Sequence, residues 1–186
     1  PQGLHVVPFK KPTTEELDDD FVWRVHKEVP AKGQIAIFNR SHYEDIIAVR
    51  VKKIFPDPVW KRRYKHVLDF ESMLAEEGTV IIKLFLNISK EEQKKRLESR
   101  LQDPDKLWKF CMDDLDDRNR WDEFQTAYQD LIEKTSTPEA PWYIIPADRK
   151  WYRNLVVARL MVEKLRHLQL SLPTPNFDPA SIIIPD

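Results

Sequence analysis

Three apolar segments in the chain are each followed by a polar turn and then by a segment with helical spacing. They lie at Gln34–Phe38, Thr79–Ser89 and Trp142–Ala147. The second is nearly continuous in apolar residues, which is typical of a central strand covered on both faces. Strands that alternate with helices favour an α/β domain with a largely parallel sheet. We predict this fold class, with a further strand at Leu4–Phe9.

Capping signals locate the helices. One helix is predicted from Thr13 or Thr14 to about Val29, with acidic residues in its first turn. Ser41 and Glu44 have the spacing of a capping box that would open the next helix. Further helices are predicted over Asp57–Gly78, with Gly78 as C-cap, after a second capping box at Ser89 and Glu92, and over Lys150–Leu170.

The composition excludes several classes of protein. With 30 basic and 31 acidic side chains the net charge is −1, which gives no general attraction to DNA, RNA or a membrane surface. The single Cys111 excludes an internal disulfide framework and a multi-cysteine zinc site. No apolar run reaches the roughly 20 residues that span a bilayer. We therefore expect a cytoplasmic protein without a nucleic-acid or membrane partner.

The polar turn after the first of these strands is the first candidate site. Ligands of open parallel sheets bind outside the carboxyl ends of the strands, and Asn39–Asp45 occupies such an end. Arg40 offers a planar fork for phosphate oxygens, and the carboxylates of Glu44 and Asp45 could hold Mg²⁺ or accept a proton. A purely structural alternative stays open, in which Ser41 and Glu44 cap the helix, Arg40 pairs with Asp45 and Tyr43 packs in the core.

The 186 residues are predicted to form one domain over 1–171 and a proline-rich arm over 172–186. Residues 102–136 form a charged, helical insertion that could close over a phosphate chain as a lid. Arg96 and Arg100 share one face of the preceding helix. A solvated surface is the alternative for these charges. Trp108 and Trp121 are expected to anchor the lid helices.

The turn after the third segment, Ala147–Lys150, again places charges where a strand meets a helix. Asp148 as the N-cap of that helix is the simpler interpretation. None of the five histidines has a metal-like spacing with Cys111, so Mg²⁺ is the only metal we expect.

Four long segments recur, in the same order, in a known family. They are FNRSHYED at Phe38–Asp45, RLESRLQDPDKLWKF at Arg96–Phe110, DRNRWDEFQTAY at Asp117–Tyr128 and TSTPEAPWYIIPADRKWYRNL at Thr135–Leu155. Together they resemble the polyphosphate kinase 2 family of polyphosphate:nucleotide phosphotransferases. The resemblance implies a three-layer, P-loop-kinase-like fold similar to thymidylate kinase, with polyphosphate running between a phosphate loop and a helical lid.

The resemblance also implies roles for residues. Arg40 would hold the transferring phosphates and Arg100 would reach polyphosphate from the lid, as the catalytic pair. Asn39 takes the first place of the family's Walker-B-like pair and, being neutral, is a weak Mg²⁺ ligand. The other implied contacts are phosphate binding by Asn39, Lys106, Lys109 and Arg118, and nucleotide binding by Asp148 and Lys150.

The implied activity moves phosphate between inorganic polyphosphate and a nucleoside mono- or diphosphate with Mg²⁺. One departure from the family is large: the glycine-rich Walker A loop expected before Leu4 is absent, and the isolated Gly3, Gly33 and Gly78 cannot replace it. We therefore expect an N-terminally incomplete chain that is almost inactive alone. Its unpaired strand edge would favour a homo-oligomer. The alternative is a non-catalytic polyphosphate- or nucleotide-binding module.

Overall fold

The computed structural model describes residues 3–172 and 174–185. Its strands are β1 (Leu4–Pro8), β2 (Ile35–Asn39), β3 (Lys83–Asn87) and β4 (Trp142–Pro146). All pairing is parallel: β1 pairs with β2, Leu4 opposite Ile35, and β3 pairs with β4, Lys83 opposite Trp142. The α/β class is confirmed. Within the described residues, however, the strands form two separate two-stranded sheets and not one.

The helices connect and cover these strands. Their bounds are α1 (Thr14–Asp18), α2 (Trp23–His26), α3 (Glu44–Val51), α4 (Asp57–Glu76), α5 (Lys90–Gln102), α6 (Asp113–Asn119), α7 (Trp121–Thr135) and α8 (Lys150–His167), with 3-10 helices at Pro104–Lys109 and Pro179–Ser181. None of the helices in the described ranges is long and apolar enough to cross a membrane.

The single helix predicted from Thr13 to Val29 is wrong, because the chain forms two short helices there. Thr13 and Glu16 make the reciprocal capping box of α1. Beyond its end, the Asp20 carboxylate accepts hydrogen bonds from the backbone N–H groups of Val22 and Trp23, at 2.9 and 3.1 Å. This side chain competes with helical bonding and starts a new turn.

The main core lies between α3, α4 and α7. It includes Ile46 and Ile47 of α3, Val67 of α4 and Leu131 of α7, all buried. Gly78 adopts a φ of 93° just beyond α4, as the C-cap prediction requires. The helix then ends, and the chain turns toward β3.

The apolar segment Thr79–Ser89 is a strand only from Lys83 to Asn87. Leu86 is exposed, so among the described residues β3 is not covered on both faces as predicted. β3 pairs only with β4, and β2 only with β1, within that part of the chain. All four described strands therefore have a second edge that is unpaired in that part of the chain.

The last helix, α8, ends at His167 and not at Leu170 as predicted. The described residues of the predicted proline-rich arm carry exposed apolar side chains, among them Leu172 and Ile183. Pro173 and Asp186 of the predicted arm, like Pro1 and Gln2 at the other end, lie outside the described residues.

Candidate functional site

The Arg40 turn follows the carboxyl end of β2 directly. Arg40 is exposed and adopts a φ of 64°, the left-handed conformation that costs energy for a residue with a Cβ. The preceding Asn39 is held in the sheet, because its carbonyl accepts a hydrogen bond from Phe9 N–H at 3.1 Å. No hydrogen bond or ion pair to the Arg40 side chain occurs within residues 3–172 and 174–185.

The predicted capping box of Ser41 and Glu44 does not form. The Ser41 hydroxyl accepts from Tyr43 N–H at 3.4 Å, its carbonyl accepts from Glu44 N–H at 3.1 Å, and α3 begins only at Glu44 without a side-chain cap. Local turn bonds therefore use the serine first. The suggested Arg40–Asp45 pair is also absent, because Asp45 pairs with the buried Arg24 at 3.0 Å. The purely structural interpretation of this turn loses both of these contacts, whereas Tyr43 packs in the core as that interpretation expected.

Glu44 lies in the electrostatic field of Arg40. Burial raises the pKa of the Glu44 carboxyl; the charge of Arg40 lowers it, and the nearby carboxylates of Asp45 and Asp117 raise it further, so that the net shift is upward. Burial likewise raises the pKa of Tyr128, with Glu44 adding to the effect. A partly buried carboxyl that is costly to ionise thus stands beside the exposed guanidinium, where a cation would lower that cost.

The predicted lid begins after α5. Arg100, in the last turn of α5, pairs with Asp114 of α6 at 3.0 Å. Lys106 of the intervening 3-10 helix pairs with Asp103, and the Lys109 ammonium lies 4.9 Å from the centre of the Trp108 ring. The helical character of the insertion is as predicted. Trp108 does not anchor it, because its side chain is 78% exposed.

The last part of the insertion belongs to the core. Helix α7 buries Ala127 and Leu131 against α3 and α4. Its preceding residues are also tied down, since Lys52 pairs with Asp117 at 2.7 Å and Arg120 donates to the Val51 carbonyl at 2.8 Å. The segment that could open is therefore shorter than the predicted 102–136 and lies before these ties.

Arg118 holds α6 against the start of α5. Its guanidinium donates to the Lys90 carbonyl at 2.7 Å and to the Gln93 side chain at 2.9 Å. In this structure the residue therefore fixes the base of the lid. Its predicted contact with phosphate would add to that role.

A cleft of about 660 Å³ opens at the carboxyl ends of β3 and β4. Asp148 lies on its wall and accepts a hydrogen bond from Ser89 N–H at 2.8 Å. Asp148 is therefore not the N-cap of α8, a position that Arg149 takes without a side-chain bond. Ser89 caps α5 as predicted, but Glu92 pairs with Arg96 and does not complete the box. Trp121 and Tyr152 line the cleft, and Lys150 begins α8 beside it, exposed.

Sequence reasoning missed a group of buried polar side chains around Tyr43, just before α3. Lys83 and Glu71 form an ion pair there, with Tyr43 hydrogen-bonded to it. The one signal in the sequence is Lys83 itself, a charge inside the apolar run VIIKLFL. No group of three or more potential metal ligands occurs among the described His, Cys, Asp and Glu residues.

Comparison with known sequences decides the family. Residues 1–172 match the sequence profile of polyphosphate kinase 2. The chain belongs to the polyphosphate kinase 2 family. It is 52% identical, over 99% of its length, to an AMP/ADP-polyphosphate phosphotransferase of Meiothermus ruber, and 38% identical over 93% to an ADP-polyphosphate phosphotransferase of Rhodopseudomonas palustris. It spans 69% and 64% of the lengths of these two relatives.

The fold comparison agrees with this membership. The crystal structure of polyphosphate kinase 2 from Arthrobacter aurescens superimposes with a TM-score of 0.94 at 48% identity, over 97% of this chain and 64% of that one. The family expected from the four sequence segments is thus confirmed, and so is an α/β fold with short parallel sheets.

Proposed function

We propose that this polyphosphate kinase 2 protein transfers phosphate between inorganic polyphosphate and a nucleoside mono- or diphosphate. The observation that carries the proposal is Arg40, an exposed guanidinium in a left-handed turn at the end of β2, with no protein partner among the described residues. A strained residue at a strand end is a frequent feature of active sites. The names of the two relatives supply the reaction class.

Phosphoryl transfer asks for little covalent chemistry from a protein. Donor and acceptor must be aligned, and the charge that develops on the transferred group must be neutralised. The Arg40 fork would bind two oxygens of the transferring phosphate at once. Asn39, held by β1, would add a neutral donor at the same end of β2.

The lid cations would bind the polyphosphate chain. Arg100 and Lys106 are held at present by carboxylates of the lid, Asp114 and Asp103. Both pairs are partly exposed, so each bond exchanges at little cost when a phosphate oxygen replaces the carboxylate. Lys109 and Arg118 would add positive charge along the same path.

The cleft at β3 and β4 would take the nucleotide. Its aromatic residues, Trp121 and Tyr152, offer flat apolar surfaces to a base. Lys150, the exposed first residue of α8, would offer a charge for phosphate. Asp148 would act mainly by holding the two strand ends together, through its bond to Ser89.

Mg²⁺ suits this arrangement only as an ion carried by the substrate. The described residues provide no cage of three ligands, but Mg²⁺ often binds through one or two carboxylates and substrate phosphates. Glu44 would be the protein carboxylate that contacts the ion, because its burial and the neighbouring acids favour a cation there. The ion would neutralise charge on the phosphates, while Glu44 would position it.

A further strand and phosphate loop belong to this proposal. Gly3, Gly33 and Gly78 all precede strands, so each lies at the amino end of a strand and away from the site. Each of the four described strands has an edge that no described strand pairs with. A P-loop-kinase-like fold would place a parallel strand and its loop at such an edge. The same observation favours the second candidate, a binding module without turnover, for the chain by itself.

The test assays the 186-residue chain with polyphosphate, Mg²⁺ and AMP, ADP or GDP, beside the complete protein from the same gene. We expect turnover in the complete protein and a rate lower by several powers of ten in the chain alone, since positioning supplies most of the catalysis. Equal rates would refute the need for a further phosphate loop. Absence of turnover in both proteins would favour the second candidate, a binding module without catalytic activity.

A further inference from the structure

A buried polar cluster includes Tyr43, which follows Arg40 by three residues in the turn before α3. The Lys83 Nζ atom is 2.7 Å from Glu71 Oε2, and both side chains are 5% exposed. The Tyr43 hydroxyl donates to the other carboxylate oxygen, Glu71 Oε1, at 2.7 Å. It also accepts from Lys83 Nζ at 3.1 Å, which closes the triangle. The cluster thus joins α4, β3 and the residue that precedes α3.

Lys83 reaches a fourth element as well. Its ammonium donates to the Thr135 carbonyl at 2.6 Å. Thr135 is the last residue of α7, and the carbonyls at a helix C-terminus lack partners within the helix and attract cations. An ammonium has three donors, and all three are used, by Glu71, Tyr43 and Thr135. The charge is therefore completely satisfied inside the core.

Stability does not explain this cluster well. A buried ion pair loses as much hydration as it gains in attraction, and well-packed apolar residues often serve equally well. Burial raises the pKa of Glu71, but His42, Lys83 and Tyr43 together lower it below the ordinary value, so the carboxyl is ionised at neutral pH. What such a pair does provide is a fixed orientation of its side chains, because each hydrogen bond holds the group that makes it in one place.

The side chains fixed here follow Arg40 in the sequence. Tyr43 precedes α3 immediately, and the His42 ring stacks on the Tyr43 ring at 4.6 Å with Nε2 3.5 Å from Glu71 Oε1. Both side chains after Ser41 therefore lie near the same carboxylate, and of the two Tyr43 is the one hydrogen-bonded to it. Arg40 itself holds an unfavourable φ, which persists only when the surroundings determine it. On the opposite side, the cluster holds the end of α7, the helix that returns from the lid.

We propose that the Glu71–Lys83 ion pair is a positioning device, which through Tyr43 holds the Arg40 turn, and through Thr135 the lid's returning helix, in the geometry of phosphoryl transfer. The inference rests on the proposed function. It assigns no substrate contact to Glu71, Lys83 or Tyr43. All three act through Arg40 and α7.

The test compares two tyrosines in the complete protein. Tyr43→Phe removes the hydroxyl that binds Glu71, whereas Tyr64→Phe removes a buried hydroxyl that has no hydrogen-bond partner in the described structure. Both residues belong to the same core and both changes delete one oxygen atom. We expect kcat to fall about tenfold to a hundredfold in Tyr43→Phe, with KM for the nucleotide nearly unchanged, and to stay within about twofold in Tyr64→Phe.

The kcat values are to be expressed per folded molecule. Equal kcat in two folded Phe variants overturns the proposal. If Tyr43→Phe does not fold, Glu71→Gln replaces it, because the amide keeps an acceptor for Tyr43 but loses the charge that fixes Lys83. The same fall in kcat is expected, and a normal kcat in folded Glu71→Gln again overturns the inference.

Binding of inorganic tripolyphosphate, measured by calorimetry, separates this inference from the proposed function. Absence of turnover in the unmodified protein counts against the function alone. In that case the affinity decides: Tyr43→Phe should weaken tripolyphosphate binding about tenfold relative to Tyr64→Phe, since a displaced Arg40 loses its paired contact. Equal affinities would overturn the positioning role.

Discussion

Two ion pairs, each between a basic side chain and a carboxylate, stand in opposite surroundings. Lys83–Glu71 lies in the core with both side chains 5% exposed, and Arg100–Asp114 lies in the lid with side chains 35% and 39% exposed. Their shortest N–O distances, 2.7 and 3.0 Å, are similar. The difference is water, which can replace either partner in the lid but neither in the core. Distance alone therefore says little about the function of an ion pair.

The surroundings suit the two pairs to different tasks. A pair that water cannot replace holds its neighbours in one arrangement. A pair that water can replace is also open to a phosphate oxygen, which competes with Asp114 for the same guanidinium.

The largest effect is expected from removing one buried partner. Lys83→Met leaves the Glu71 carboxylate buried without its cation, so the free energy of unfolding should fall by about 3–5 kcal/mol. Adding Glu71→Gln removes the stranded charge and keeps an acceptor for Tyr43, and most of the loss should return. Denaturant unfolding measures both. In the lid, Arg100→Met should cost less than about 1 kcal/mol. Equal costs in core and lid would refute the comparison.

Arg40→Lys is expected to lower the turnover of the complete protein roughly 10²-fold, because the charge remains but the paired fork is lost. Folding should be unchanged, since the side chain makes no hydrogen bond among the described residues. Arg62→Lys, an equal change at an exposed position of α4, is the control. Near-normal turnover by Arg40→Lys would return this residue to a structural role.

The buried pair should also give the stability an acid dependence. The pKa of Glu71 lies below its ordinary value in the folded state, so its stabilisation is present above the ordinary carboxyl pKa of about 4.3 and is lost as the pH falls through the folded value. In denaturant unfolding, the free energy of unfolding of the wild type should exceed that of Glu71→Gln by about 2 kcal/mol at pH 7. This difference should shrink below about pH 4. Burial lowers the pKa of Lys83, and its deprotonation affects the stability only at alkaline pH. A difference independent of pH would mean that Glu71 is uncharged.

In the lid, Arg100→Gln with Lys109→Gln should weaken polyphosphate binding and reduce the slope of log K against log salt by about one for each cation removed. Nucleotide affinity should change less. Lys94→Gln with Lys95→Gln, two exposed cations of α5, is the control of equal charge. An unchanged slope in the first variant would place Arg100 and Lys109 on a solvated surface.

The smallest effect is expected from Asp114→Asn. Arg100 then has no ion pair to break before it binds the substrate, so polyphosphate should bind up to about fivefold more tightly. The free energy of unfolding should fall by less than about 1 kcal/mol. Calorimetric titration and thermal unfolding measure the two. Weaker binding would indicate that Asp114 positions Arg100 for the substrate and does not compete with it.

Where the sequence was sufficient, short-range patterns carried the prediction. Apolar strands with polar turns gave all the strand positions to within a few residues, and Gly78 ended α4 as expected. Where it failed, two local alternatives competed: Ser41 could cap a helix or form a turn, and Asp20 could continue a helix or begin one. The outcome depends on differences of about 1 kcal/mol in capping, which the pattern does not resolve.

The sequence by itself determined the family, the α/β class, and the place of Arg40 at a strand end, because these follow from periodicity and from segments that are contiguous in the chain. Only the tertiary structure decided which charges meet. Asp148 turned from the expected helix cap to Ser89, 59 residues away, and Lys83 found Glu71, Tyr43 and Thr135 at separations of 12, 40 and 52 residues. A buried charge needs hydrogen-bond partners, but the sequence does not show which of the polar residues in the chain will be those partners. The packing of α4, α7 and β3 selects them by bringing their side chains within hydrogen-bond distance.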